Sequence, residues 1–227
     1  MKTIVIGFLL AGSYTGFAQV SKNNTPICRP CAVLFATNIS QVEDVKKTDT
    51  YYTALAGLIE KYGIDLAPCD NKNLGGSLTL TTAMVIPMLN TALDRMTEVI
   101  NEAAVPLKDD KREELYSKFM PHPFDMYKHL FTSASQVVDL KETDCYYFHA
   151  QSLIERYGID LSNKEGLLEV DKPANGKTMA VLLKDIFGIE NFKTEKYTSA
   201  VITKGTFIIM LYAALEEYNK RITAATK

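Results

Sequence analysis

Four cysteines are the first side chains in the 227-residue sequence that could do chemistry: Cys28, Cys31, Cys69 and Cys145. The Cys-Arg-Pro-Cys spacing at 28–31 is that of a redox dithiol, but such dithiols act at the tip of a helix that follows a strand. No strand pattern precedes this pair, so we expect a local disulfide; a redox site and half of a zinc site are the weaker alternatives. Cys69 and Cys145 are candidates for a second disulfide, and the sequence leaves the connectivity open.

Catalytic and metal-binding patterns are not found among the other reactive residues. His122, His129 and His149 do not make the paired helical spacing of a zinc hydrolase. There is no glycine-rich phosphate loop after a strand and no Gly-x-Ser-x-Gly turn. Asp65 and Asp160 are candidates for the acid/base pair of a glycan hydrolase only because they recur in a repeat, and a structural role in a turn fits recurrence better. We therefore predict a protein that is not an enzyme and that uses no metal or cofactor.

Composition and charge exclude one large class of partners. The formal net charge is -2, and the 25 basic and 27 acidic side chains are interspersed without a basic stripe. Nucleic acid is therefore not an expected partner. With 47% hydrophobic residues, the chain can bury one sizeable core or two small ones.

The first 18 residues have the pattern of a secretory signal peptide. Lys2 supplies a positive start, residues 4–11 form a short apolar run, and Gly16-Phe17-Ala18 gives small residues where a signal peptidase cleaves. We predict cleavage after Ala18, followed by an N-terminal segment, 19–39, that carries Cys28 and Cys31. No later stretch is long and apolar enough to span a bilayer. The expected location is the periplasm or cell envelope, or the exterior after secretion.

An internal repeat organises the rest of the chain. The segment 40–52 recurs as 135–147, and 58–66 recurs as 153–161, both with the same offset of 95 residues. Because the register holds without a gap, we interpret the two segments as copies of one duplicated unit. A shorter copy of the unit's second half follows, since 202–215 parallels 80–93.

Each unit is predicted to be a helix, a loop and a second helix. Thr48 or Asp49 is expected to cap the first helix, apolar side chains recur along it at helical spacing, and Gly63 and Gly158 are expected to end it in the left-handed conformation. The second helices are expected from about Thr81 and over 175–187. Pro87 requires the earlier of these to begin near Ile86 or to kink.

These elements predict a mainly α fold, in which tandem helix–loop–helix repeats pack as a pseudo-symmetric helical bundle. The predicted order is a first repeat at 40–100, a helical connector at 101–134, a second repeat at 135–187, and a truncated third repeat at 188–227.

The repeat resembles the S-layer homology module. That module has an Asp-Val start, a Trp-Ala helix that ends in glycine, an extended loop, and Thr-Arg-Ala/Gly-Glu-Phe opening a second helix. Residues 44–63 and 139–158 are similar to its first half, and 166–183 is similar to its second half. Residues 203–207, Thr-Lys-Gly-Thr-Phe, resemble the helix-opening motif more closely than the other copies do.

The resemblance implies several repeats around a pseudo-symmetric centre, with wall polysaccharide bound in grooves between them. It places the ligand contacts at Thr203, Lys204 and Gly205, with Thr81 and Thr82 second; the alternative is that these residues are helix caps and exposed surface. This sequence departs from the family where the motif tryptophan is replaced by Thr50 and Cys145, and where the motif arginine is replaced by Thr82, Gly176 and Lys204. Lysine cannot reproduce the two-pronged hydrogen bonding of arginine.

Two functions follow from this pattern. The first is an exported, non-catalytic module that binds or anchors at the cell envelope by contacting peptidoglycan or wall-associated glycan. The alternative is a structural or protein-interaction module on the same scaffold, with the glycan site lost and an envelope protein as its partner.

Overall fold

A computed structural model describes residues 36–64, 66, 73–120 and 131–227. The predicted signal peptide and Cys28, Cys31 and Cys69 lie outside these ranges. The described residues form six α-helices and two isolated β-bridges, with no longer strand among them. The predicted mainly helical class is confirmed, whereas the pseudo-symmetric packing of whole repeats stays a prediction.

The six helices are, in chain order, α1 Tyr52–Ala56, α2 Thr82–Ala104, α3 Asp109–Phe119, α4 Tyr147–Gln151, α5 Gly176–Ile186 and α6 Lys204–Ala225. α1 and α4 each continue into one π-helical stretch, Gly57–Lys61 and Ser152–Arg156. Short 3-10 helices lie at Ile39–Gln41, Ala134–Gln136 and Thr194–Lys196. None of the helices in the described ranges has the length and apolar character needed to cross a bilayer.

The predicted N-cap of the first helices is wrong, because the aspartate side chain bonds within the turn before the helix. The Asp49 carboxylate accepts the backbone N–H of Lys46 at 2.7 Å, and the Asp144 carboxylate accepts that of Lys141 at 2.8 Å. Both carboxylates therefore stabilise the turn that precedes the helix. α1 then begins at Tyr52, with no hydrogen bond from a capping side chain.

The predicted helix ends are confirmed. Gly63 and Gly158 have φ values of 67° and 62°, a region that glycine enters without steric cost. One residue further on, the N–H of Ile64 donates to Leu58 O at 2.8 Å, and the N–H of Ile159 donates to Leu153 O at 2.7 Å. These bonds satisfy carbonyls that the end of a helix would otherwise leave unpaired.

The second helices begin near the predicted residues. α5 is capped by Asn175, whose Oδ1 accepts the N–H of Thr178 at 3.1 Å, and α6 is capped by Thr203. α2 begins at Thr82 and runs through Pro87, so the expectation of a start near Ile86 is wrong. Pro87 lies in the second turn of α2. Its missing N–H removes one backbone hydrogen bond, and the helix continues on both sides of it.

Helix pairing brings distant parts of the chain together. α1 packs on α6, α4 packs on α2, and α5 packs on α6. The connector helix α3 buries Leu115 and Phe119 against this core and packs on α2 and α6. The fully buried side chains that fill the centre come from both copies and from α6; they include Leu55, Leu58, Leu89, Leu183, Phe207 and Leu211.

Candidate binding surface at the helix N-termini

Three backbone segments meet in a closed ring of hydrogen bonds, which we call the cap ring. The N–H of Leu80 donates to Ile202 O at 2.9 Å, that of Ile202 to Ala174 O at 3.2 Å, and that of Ala174 to Leu80 O at 2.8 Å. Each of these residues immediately precedes the N-cap of a long helix, α2, α5 or α6. The ring therefore fixes three helix N-termini relative to one another.

The cap ring brings together the two helix N-termini that carry all five residues that the resemblance singled out. Thr81 and Thr203 are the N-caps of α2 and α6, and Thr82, Lys204 and Gly205 begin those helices. Two isolated bridges, Thr79 with Thr203 and Thr81 with Pro173, join the segments further.

The two N-cap threonines use their hydroxyls differently. Thr203 Oγ1 accepts the N–H of Thr206 at 3.2 Å, so it satisfies a free donor at the start of α6. Thr81 makes no such bond to α2 and is half-buried. The Thr81 hydroxyl can therefore serve a ligand without loss of a helix cap.

Lys204 is buried, with 7% of its surface exposed. Its ammonium donates to Leu66 O at 3.0 Å and to Leu74 O at 2.9 Å. These two carbonyls lie on either side of the loop that follows α1. The Lys204 side chain, at the start of α6, therefore holds both sides of that loop. This geometry uses the ammonium inside the protein, and a direct contact between Lys204 and a polymer stays a prediction.

Gly205 allows an aromatic ring to lie against the start of α6. A Cβ atom at this position would lie 2.4 Å from Cδ1 of Tyr51 and 3.0 Å from the carbonyl oxygen of Gly76. The N–H of Gly205 donates to that same carbonyl at 2.8 Å. The Tyr51 hydroxyl donates to Asp49 Oδ2 at 3.3 Å. Burial, with Asp49 as a further cause, raises the pKa of Tyr51.

Tyr51 is a candidate ligand contact that the sequence reasoning missed. The available signal was the repeat, because Tyr146 occupies the same place 95 residues later. Burial raises the pKa of Tyr146 to about 12, with a further contribution from Asp144. Both phenols therefore stay protonated donors at neutral pH.

A carboxylate in each copy holds the loop that leads to the cap ring. Asp44 accepts the N–H groups of Leu74 and Gly75 at 2.7 and 2.8 Å. Asp139 accepts those of Leu168 and Glu169 at 2.7 and 3.0 Å. Charge-assisted bonds of this kind are stronger than neutral ones. The aspartate of the Asp-Val or Asp-Leu start thus has a structural role in both copies.

A second set of paired contacts joins the first helices to their neighbours. Glu216 on α6 accepts from the Tyr62 hydroxyl at 2.7 Å and pairs with Lys61. At the other interface, Asp94 on α2 accepts from the Tyr157 hydroxyl at 2.5 Å and pairs with Arg156 at 2.9 Å. The same tyrosine–carboxylate contact therefore orients α1 on α6 and α4 on α2.

Because of these buried tyrosines, we expect the protein to lose stability at alkaline pH. Burial and then the bond to Asp94 raise the pKa of Tyr157 from 10.0 to about 12. Because the folded state holds this proton more tightly, its stabilisation is complete below pH 10 and is lost as the pH rises towards 12. We expect the free energy of unfolding, measured with urea, to decrease across that interval. The decrease should be about 2 kcal/mol smaller in Tyr157→Phe. Equal slopes in the two proteins would contradict this assignment.

Two further groups bear on ligand or metal binding. Cys145, on the turn before α4, is not a free thiol; its pairing with Cys69 stays a prediction. In the part of the chain that the structure describes, no three His, Cys, Asp or Glu side chains converge as a metal site.

The fold and this surface define a mainly helical protein in which the N-termini of three helices, α2, α5 and α6, are joined by a ring of backbone hydrogen bonds. No protein-family model matches the chain, and no solved structure matches it. An uncharacterized protein of Nostoc sp., alr4550, is 38% identical to this chain over 71 residues. The match covers 31% of this chain and 12% of that protein's length.

Proposed function

We propose that this protein is an exported, non-catalytic module of the cell envelope that contacts peptidoglycan or wall-associated glycan. The observation that carries the proposal is the cap ring, whose three residues are each followed by an N-cap with a polar side chain, Thr81, Asn175 or Thr203. The hydroxyl and amide groups of these three N-cap residues, and the Tyr51 ring against the start of α6, are the kinds of group that bind the hydroxyls and C–H faces of sugars. The resemblance of the repeat to the S-layer homology module supports the same ligand class.

One observation favours a protein partner instead. Lys204 stands at the cationic position of the motif, and its ammonium is buried and hydrogen-bonded to two backbone carbonyls. A module that had lost its glycan site would keep this lysine for its structural bonds. The alternative is therefore a structural or protein-interaction module on the same scaffold, bound to another envelope protein.

Co-sedimentation with purified peptidoglycan sacculi tests the proposal. We expect the wild-type protein to pellet with sacculi at moderate salt, and Thr81→Ala to bind two- to tenfold more weakly, because one hydrogen bond contributes about 0.5–1.5 kcal/mol. The Thr81 hydroxyl makes no bond to its own helix, so the variant should keep the wild-type urea midpoint.

The matched control is Thr53→Ala, which removes an exposed threonine from α1 that is not part of the cap ring. It should pellet like the wild type. Absence of wild-type pelleting would remove the glycan proposal, and specific capture of one envelope protein would then favour the alternative. Secretion of a product that begins at Gln19 would test the predicted leader.

A further inference from the structure

A shallow groove lies on the exposed face of α4 and its π-helical continuation, and none of its lining residues belongs to the cap ring. It is lined by Phe148, Gln151, Ser152, Glu155 and Arg156, and it has a volume of about 330 Å³. The Phe148 ring is 74% exposed. Burial of this ring would be favourable, so the folded protein leaves part of its hydrophobic surface available at this place.

The first repeat shows that the fold does not require an aromatic residue here. At the offset of 95 residues, Thr53 takes the place of Phe148, and it is also exposed. The helix around Thr53 has the same length and the same π-helical continuation as the helix around Phe148. Because the helix forms equally well with threonine at this place, the exposed phenyl ring of Phe148 is not needed for folding.

Hydrogen bonds hold the polar side chains of the groove in place. Glu155 Oε1 accepts from the Ala134 N–H at 3.1 Å and the Ser133 hydroxyl at 3.0 Å, and Oε2 accepts from Gln151 at 3.0 Å. Arg156 uses Nη1 on Asp94, which leaves further guanidinium donors for a ligand. The groove therefore combines one apolar ring with oriented donors and acceptors.

We propose that this groove is a subsite for one pyranose residue of a glycan, with the C–H face of the sugar on Phe148 and its hydroxyls bonded by Gln151, Glu155 and Arg156. The inference rests on the proposed function for its ligand class but adds a site outside the cap ring. The volume lies at the lower end of the roughly 300–1,000 Å³ of small-ligand pockets.

The lining favours a sugar over a protein surface. Four of its five side chains are polar, whereas the dominant contacts of protein interfaces cluster in well-packed pockets that exclude water. A pyranose ring has one apolar face edged by hydroxyls, which matches one aromatic ring edged by an amide, a carboxylate and a guanidinium.

Exchange of the residue between the two repeats provides the test. The full chain is titrated with N-acetylglucosamine tetramer, and amide and aromatic NMR shifts are followed in the wild type, Phe148→Thr and the matched Thr53→Phe. We expect saturable shifts at residues 147–156 in the wild type, at least tenfold weaker binding in Phe148→Thr, and no weakening in Thr53→Phe. Phe148→Thr should keep the wild-type urea midpoint, because the ring it removes is exposed.

The outcomes separate this subsite from the proposed function. If the wild type pellets with sacculi but no saturable shifts occur at 147–156, the subsite is wrong and the proposed function stands. If neither sacculi nor the tetramer binds, both are wrong. A wild-type dimer seen by light scattering that disappears in Phe148→Thr, without sugar binding, would overturn the subsite in favour of self-association.

Discussion

Replacing Lys204 by alanine should destabilise the protein by about 3–5 kcal/mol. The change leaves the buried carbonyls of Leu66 and Leu74 without the ammonium donor, and each unsatisfied group costs about 1–3 kcal/mol. The loss of the buried alkyl stem adds a cavity. Urea denaturation followed by far-UV circular dichroism measures the total.

Amide hydrogen exchange locates the damage caused by this substitution. The N–H groups of Leu74 and Gly75, which Asp44 holds, should exchange at least tenfold faster in Lys204→Ala. The control is Lys177→Ala, which removes an exposed lysine from the start of α5 and should change stability by less than about 0.5 kcal/mol. A loss below about 1 kcal/mol in Lys204→Ala would show that water replaces the ammonium at both carbonyls.

Gly205→Ala should destabilise the protein by about 2–3 kcal/mol. The new Cβ would lie 2.4 Å from Tyr51 Cδ1 and 3.0 Å from Gly76 O, and overpacking of this kind typically costs 1–3 kcal/mol. The ring must move, and with it the contacts between α1 and α6. Thermal unfolding of the purified variant gives the size of the effect.

A double-mutant cycle with Tyr51→Ala identifies the cause of this loss. If the clash with the ring is responsible, Gly205→Ala should cost at least 1 kcal/mol less in the Tyr51→Ala background than in the wild type. Additive effects would instead assign the loss to the backbone contact with Gly76. Gly63→Ala is an unsuitable control, because its φ of 67° adds strain without any neighbour within 4 Å.

Local sequence features predicted the helix boundaries well. Gly63 and Gly158 end their helices because the left-handed conformation depends on only a few neighbouring atoms. The cap of α6 by Thr203 is equally local, because the bond joins residues three apart in sequence. The expectation that Asp49 caps α1 failed because its carboxylate has a nearer donor, the Lys46 N–H, within the preceding turn.

Contacts between distant segments were outside the reach of sequence reasoning. Periodicity indicated which face of the first helix is apolar, but not that it packs on α6. The position of Lys204 at the start of α6 predicted a cation beside a helix N-terminus. Its burial depends on the carbonyl of Leu66, which lies 138 residues away in sequence. The cap ring likewise needs three segments that the sequence does not place together.

The cap ring has a consequence for how the molecule unfolds. In an open solenoid each repeat touches only its neighbours, so the ends can fray while the middle stays folded. Here Leu80, Ala174 and Ile202 each donate to one member of the ring and accept from the other, so no member is terminal. Opening any one segment removes bonds from both others. We therefore expect the two repeats and α6 to unfold in a single cooperative transition. Because the ring closes with three segments, a fourth segment could join it only by breaking one of these bonds.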